Sequence, residues 1–132
     1  MSEHLKRAEE LRAITERHYN CAQSVFVPFA KECGLDEEEA YKVAANFGAG
    51  MKVAGTCGAI TGGLMVLGML GVEDPAIIRQ YFQAFKDNHE GCTDCVDLLR
   101  INAQAGKEKK PHCDAMVYEA VKVVEKILAE QK

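Results

Sequence analysis

The chain has 132 residues, a length that suits one domain with its own hydrophobic core. Sixteen Lys and Arg against twenty Asp and Glu give a formal charge of -4, which leaves no basic excess for binding nucleic acid or an anionic membrane. Apolar residues make up 48% and charged residues 27%, a globular composition that excludes a disordered chain and a coiled-coil rod.

The first third of the chain has apolar residues at helical spacing. A segment from Ser2 to about Tyr19 is predicted to form an amphipathic helix, because one face carries Leu5, Ala8, Leu11, Ile14 and His18. Asn20 followed by Gln23 is typical of a capping box, in which each side chain binds the backbone of the other residue. The second helix is therefore predicted to run to Cys33, with a kink or break at Pro28.

Two further helices are predicted in the middle of the chain. Asp36 and Glu39 form another capping pattern, and the apolar spacing continues this helix to Gly48. Residues 48–55 are a glycine-rich connection. Thr56 is then the predicted cap of an apolar helix that ends near Leu70.

Three more helices are predicted in the last part of the chain. Asp74-Pro75 opens a helix that stops near Gly91, a short helix begins at Thr93 or Asp94, and Pro111 begins the last helix. No stretch alternates with a period of two over a useful length. The sequence predicts an all-α bundle of six or seven helices, forming a single domain over residues 1–132.

Four of the six cysteines fall at predicted helix starts, and each is expected to lie in a first helical turn. Free backbone N–H groups and the helix dipole favour the thiolate there, which is the reactive and metal-binding form of the side chain. The sequence therefore indicates a shared redox or metal site formed by Cys21, Cys57, Cys95 and Cys113. The alternative is that these cysteines are ordinary apolar core residues, which is also the interpretation favoured for Cys33.

Cys92 and Cys95 form a C-x-x-C pair, a spacing that can chelate a metal or form a reducible disulfide. A thioredoxin-like site would require a strand before the pair, and none is predicted. A zinc ribbon would require a second close pair, which the sequence lacks.

The cysteine pattern resembles that of a known family of small proteins. The chain closely resembles the C_GCAxxG_C_C family of redox-active proteins from about residue 17 to residue 128, with these matching elements: Asn20-Cys21-Ala22-Gln23, Cys57-Gly58-Ala59-Ile60-Thr61-Gly62, Cys95 with Leu98-Leu99, and Cys113. The resemblance implies redox activity without an assigned reaction. Some members are exported and a related domain occurs in a haem cytochrome, but the chain has neither an export signal nor a C-x-x-C-H sequence for haem attachment. Cys33 and Cys92 are additions to the four-cysteine pattern, and pairing of Cys92 with Cys95 would break the set of four equivalent ligands.

The CGAxxG element leaves one side of its helix almost bare of side chains at Gly58, Ala59 and Gly62. A cofactor could approach the backbone on this side, and these three residues are therefore candidate cofactor contacts. Close packing of another helix is the slightly favoured alternative.

The leading hypothesis is a cytoplasmic redox protein, since no apolar signal segment begins the sequence. Its cysteines are expected to cycle between dithiol and disulfide or to hold an iron-sulfur cluster or another metal, with Cys92 as a further candidate ligand. The alternative is a non-catalytic helical module for binding or oligomerisation, with structural cysteines or a structural zinc. A redox partner protein and a homo-oligomer remain open, whereas nucleic acid and membrane partners are not expected.

Overall fold

The computed structural model describes residues 2–131, and in that part of the chain it contains seven α-helices. Their bounds are α1 Glu3–Ala13, α2 Cys21–Phe26, α3 Glu37–Val43, α4 Gly58–Met69, α5 Pro75–Asn88, α6 Cys95–Gln104 and α7 Lys109–Glu130. The predicted all-α bundle of six or seven helices is confirmed. No helix in the described part is long and apolar enough to cross a membrane.

The first helix is shorter than predicted, ending at Ala13 instead of Tyr19. Ile14 adopts an extended conformation, and the Arg12 guanidinium donates a hydrogen bond of 2.9 Å to the Tyr19 carbonyl. This contact turns the chain back after α1, so that Asn20 can cap α2. The predicted capping box is confirmed: the Asn20 side chain accepts from the Gln23 amide at 2.8 Å, and the Gln23 side chain accepts from the Asn20 amide at 2.8 Å.

The second helix breaks at Pro28, as predicted. It ends at Phe26 and continues as a 3-10 turn over Val27–Phe29, so the predicted extension as far as Cys33 is wrong. Proline lacks the backbone donor that a continued α-helix needs.

The third helix has the predicted capping box between Asp36 and Glu39 but ends at Val43, not Gly48. The Asn20 side-chain amide donates to the Ala45 carbonyl at 3.1 Å, which fixes the chain in a non-helical path after α3. A Cβ atom at Gly48 would lie 2.5 Å from the Asn20 Cβ, so only glycine allows this close approach.

Residues 49–54 form an unusual connection to α4, here named the left-handed segment. The backbone φ angles are positive at Ala49 (51°), Gly50 (61°), Met51 (59°), Lys52 (63°) and Ala54 (57°). Side chains of L-residues disfavour this conformation by about 1–2 kcal/mol per residue. The predicted glycine-rich connection is therefore a defined but strained structure.

The core is built around α7, which packs against α1, α2, α4, α5 and α6, while α2 packs closely on α4. A Cβ atom at Gly62 would lie 2.7 Å from the Ala22 carbonyl oxygen, so the α4 backbone touches the α2 backbone there. Buried Tyr81 of α5 donates a hydrogen bond of 2.7 Å to the Ile60 carbonyl. These contacts hold α2, α4 and α7 in the positions that form the site described below.

Candidate functional site

A cavity of about 450 Å³ opens between the ends of the helices, and four cysteines are among the residues that line it. The cysteines on its wall are Cys21, Cys57, Cys95 and Cys113, which are separated by up to 92 residues in the sequence. The fold thus places all four cysteines that the sequence singled out along one cavity. Their catalytic and metal-binding roles remain predictions.

Two of these cysteines lie at the first residue of a helix, as expected. Cys21 begins α2 and Cys95 begins α6. Cys57 instead occupies the capping position of α4, so the prediction that Thr56 caps this helix is wrong. The reason is that Thr56 pairs with Asp94 in an isolated antiparallel bridge.

The position of Cys113 differs more from the prediction. Helix α7 begins at Lys109 instead of Pro111, which makes Cys113 its fifth residue and places it beyond the free N–H groups of the first turn. Proline is tolerated in a first helical turn, so Pro111 does not mark the start. The chemistry of Cys113 must therefore come from its neighbours and not from the helix end.

A short backbone bridge joins the two segments that carry Cys57 and Cys95. The Cys57 amide donates to the Thr93 carbonyl at 2.9 Å, and the Cys95 amide donates to the Gly55 carbonyl at 2.6 Å. These bonds flank the Thr56–Asp94 pair. They fix the relative positions of two cysteines that are far apart in the sequence.

Cys21 and Cys113 form the most strongly interacting pair in the cavity. The pKa of Cys113 is lowered to about 6, mainly because its sulfur accepts a hydrogen bond from the Cys21 thiol. Burial opposes this effect, while the positive charges of Arg12 and Lys109 add to it. The same hydrogen bond, together with burial, raises the pKa of Cys21. The pair therefore consists of a Cys113 thiolate and a Cys21 thiol near neutral pH.

The other two cavity cysteines are protonated near neutral pH. Burial raises the pKa of Cys57 to about 11, although the backbone N–H groups of Ala59 and Ile60 act in the opposite direction. Burial also raises the pKa of Cys95, with the nearby Cys113 adding to the effect. Cys113 thus influences the pKa of each of the other three cavity cysteines, and its own pKa is the one that is lowered.

Arg12 belongs to the site, although no sequence motif marked it. Its side chain is 10% exposed and lines the cavity, and its Nε donates to Asp114 Oδ1 at 2.6 Å. The partner lies 102 residues away, so helical spacing could not find this contact. Lys109 of α7 and the two histidines His18 and His112 also line the cavity.

The remaining cysteines lie elsewhere. Cys33 is buried in the core after the 3-10 turn, as expected for an ordinary apolar core residue. Cys92 is half-buried and does not line the cavity, and its sulfur approaches the Glu90 carbonyl at 3.8 Å. The C-x-x-C pair is therefore divided, with Cys95 alone on the cavity wall.

Close backbone packing explains the glycines of the CGAxxG element. A Cβ atom at Gly58 would lie 2.9 Å from the Phe47 carbonyl oxygen, and Gly62 touches α2 as described above. Ala59 is fully buried. Of the three residues only Gly58 lines the cavity, and contact between any of them and a cofactor remains a prediction.

A metal-binding site requires several ligand atoms gathered around one point. Between residues 2 and 131, no three Cys, His, Asp or Glu side chains are gathered closely enough to hold a metal ion. The predicted ligands Cys21, Cys57, Cys95 and Cys113 thus share a cavity wall without forming a ready metal site. Cys92, the further candidate ligand, lies outside this cavity.

Comparison with known proteins identifies the family. The family model described as "Putative redox-active protein (C_GCAxxG_C_C)" matches residues 19–127. The chain belongs to the C_GCAxxG_C_C family. No curated protein and no solved structure matches it significantly. The match covers all four cavity cysteines of this C_GCAxxG_C_C protein, together with Cys33 and Cys92.

The lowered pKa of Cys113 has a direct consequence for alkylation. We expect the rate of its reaction with iodoacetamide to follow a titration with a midpoint near pH 6, because the thiolate persists down to that pH. Mass spectrometry of the peptide that contains Cys113 would measure this rate. In Cys21→Ala, which removes the side-chain donor, the midpoint should move to higher pH. A wild-type midpoint above pH 8 would contradict the assignment.

Proposed function

We propose that this protein is a thiol-disulfide redox protein in which Cys113 is the attacking thiolate and Cys21 is the second thiol. The observation that carries this proposal is that Cys21 and Cys113 line one cavity together with Arg12 and Lys109. The interaction with Cys21 and these two positive charges lower the pKa of Cys113. A thiolate with a pKa near or below the ambient pH is available for attack on a disulfide.

The reaction consists of two exchanges. The Cys113 thiolate attacks one sulfur of a substrate disulfide, forming a mixed disulfide and releasing the other half of the substrate as a thiolate with the electron pair of the broken bond. Cys21 then loses its proton and attacks the Cys113 sulfur. The second half of the substrate leaves as a thiol after taking up a proton, and the protein holds a Cys21–Cys113 disulfide. The substrate has gained two electrons and the protein has lost two.

The surroundings of the pair support this chemistry. Arg12 and Lys109 stabilise the Cys113 thiolate, while Asp114 holds the Arg12 guanidinium in place. Burial lowers the pKa of His112, so this imidazole on the cavity wall is uncharged near neutral pH and can accept a proton. After each turnover an electron donor must reduce the Cys21–Cys113 disulfide again. A redox partner protein is suited to this role. The proposal keeps the predicted cytoplasmic location, where thiols are maintained in the reduced state.

A thiolate-bound metal or iron-sulfur cluster is the second candidate, and the observation that favours it is the shared wall of four cysteines. Anaerobic purification followed by analysis for iron, sulfide and zinc separates the two candidates. Iron with sulfide, or zinc, bound in stoichiometric amounts would replace the dithiol mechanism with a metal-centred function.

The direct test of the proposal is disulfide mapping. The fully reduced protein is treated with bis(2-hydroxyethyl) disulfide, digested and analysed by mass spectrometry. We expect one intramolecular bond, Cys21–Cys113, and release of two small thiols per chain. A bond between Cys92 and Cys95 in its place would overturn the assignment of the pair. Thiols that stay reduced would favour the non-catalytic helical module.

A further inference from the structure

The cavity has a charge that differs from that of the whole chain. The protein carries a formal charge of -4, yet no Asp or Glu in the described residues lines the cavity. Its charged lining consists of Arg12, Lys52 and Lys109. A cavity wall of one sign concentrates ligands of the opposite sign.

Two of these positive charges are free of a carboxylate partner. Arg12 shares its charge with Asp114, but between residues 2 and 131 neither Lys52 nor Lys109 forms an ion pair. The Lys52 ammonium donates instead to the neutral Asn46 side chain at 2.9 Å. The left-handed segment, which carries Lys52, thus brings an uncompensated positive charge to the cavity.

The size and shape of the cavity suit a small molecule. A volume of about 450 Å³ falls within the range of small-molecule sites. An adjoining cavity of about 350 Å³ shares Cys113, Arg12 and Lys109 with it, and no Asp or Glu of the described residues lines that one either. Cys113 therefore lies at the boundary between two spaces, each of which can receive one half of a disulfide. The apolar wall formed by Leu98, Leu99 and Met116 suits a short carbon chain.

We propose that the substrate is a low-molecular-weight disulfide that carries carboxylates. This inference rests on the proposed function and names the substrate class of the same site. Lys52 and Lys109 attract the carboxylates, and the Cys113 thiolate attacks the nearer sulfur atom. The substrate is reduced to two carboxylate-bearing thiols. The protein is oxidised to the Cys21–Cys113 disulfide.

The test compares three disulfides of similar length and different charge. The probes are 3,3'-dithiodipropionate, which is anionic, bis(2-hydroxyethyl) disulfide, which is neutral, and cystamine, which is cationic. The rate of thiol release from each probe is divided by its rate with free 2-mercaptoethanol, to remove differences in intrinsic reactivity. We expect a preference for the anionic over the cationic probe of at least about tenfold at low ionic strength, falling as salt screens the lysine charges.

Matched variants identify the charges responsible. Lys52→Gln and Lys109→Gln should each reduce the ratio of anionic to cationic rates at least about threefold. Lys126→Gln is the control, because Lys126 is exposed on the same helix as Lys109 and lies about 25 Å further along it. Lys126 does not line the cavity, so Lys126→Gln should keep the wild-type rate with all three probes.

The outcomes separate this inference from the proposed function. Reaction with the neutral probe but no preference for the anionic probe would overturn the substrate class and leave the dithiol chemistry intact. A preference that Lys126→Gln removes as strongly as Lys52→Gln would also overturn it, because the net charge and not the cavity would then be responsible. No reaction with any probe would instead overturn the proposed function.

Discussion

Replacing Cys113 with serine should slow the two-electron oxidation of the protein by small disulfides at least about 100-fold, because the attacking thiolate is lost. Cys57 and Cys95 cannot replace it as the attacking group, since burial raises the pKa of both thiols. The measurement is the initial rate of thiol release from bis(2-hydroxyethyl) disulfide at pH 7, under excess disulfide.

The matched control is Cys33→Ser, which removes a cysteine that lies in the core outside the cavity. It should keep the wild-type rate even if it lowers the stability of the fold. Cys21→Ser should still form the mixed disulfide at Cys113 but release one thiol per chain instead of two. Equal rates in wild type and Cys113→Ser would show that another thiol begins the reaction.

The second large effect concerns the packing of α2 on α4. Gly62→Ala should destabilise the protein by about 2–3 kcal/mol, because the added Cβ would lie 2.7 Å from the Ala22 carbonyl oxygen and force two helices apart. Chemical denaturation followed by circular dichroism would measure the free energy of unfolding. Cys21 begins α2, so the same change should weaken the interaction between Cys21 and Cys113. The midpoint of Cys113 alkylation should then move to higher pH.

The control for this substitution lies on the same helix. A Cβ atom at Gly68 would meet nothing within 4 Å, so Gly68→Ala should stabilise the protein by about 0.5–1 kcal/mol through the better helix propensity of alanine. If the two substitutions had similar effects, close packing would not explain the glycine in the family motif. Retention of full stability in Gly62→Ala would leave cofactor contact as the better explanation of this glycine.

Local rules predicted the starts of α2, α3 and α5, because their caps are local. The capping boxes at Asn20 and Asp36 and the proline after Asp74 depend on residues at most three positions apart, and the structure contains all three. The helix ends were harder to predict. Helix α1 stops where Arg12 reaches the Tyr19 carbonyl, and the chain after α3 is held by Asn20, a residue of another part of the chain. Such tertiary contacts leave no periodic signal in the sequence.

The candidate site was predictable as a set of residues but not as a chemical arrangement. Helix starts and the family motif pointed to four cysteines, which do line one cavity. Cys113 is nevertheless the residue for which the helix-start reasoning failed, and its lowered pKa depends on Cys21, Arg12 and Lys109. Two of these neighbours lie about 90 or more residues away in the sequence, so only the fold reveals them.

The left-handed segment forms a part of the cavity wall whose backbone conformation is costly. Four of its residues other than glycine have positive φ angles, and together they store about 4–8 kcal/mol, a large fraction of the roughly 5–15 kcal/mol by which a domain of this size is stable. The packing of the neighbouring helices must hold these angles in place, so the part of the cavity wall that carries Lys52 depends on the rest of the fold.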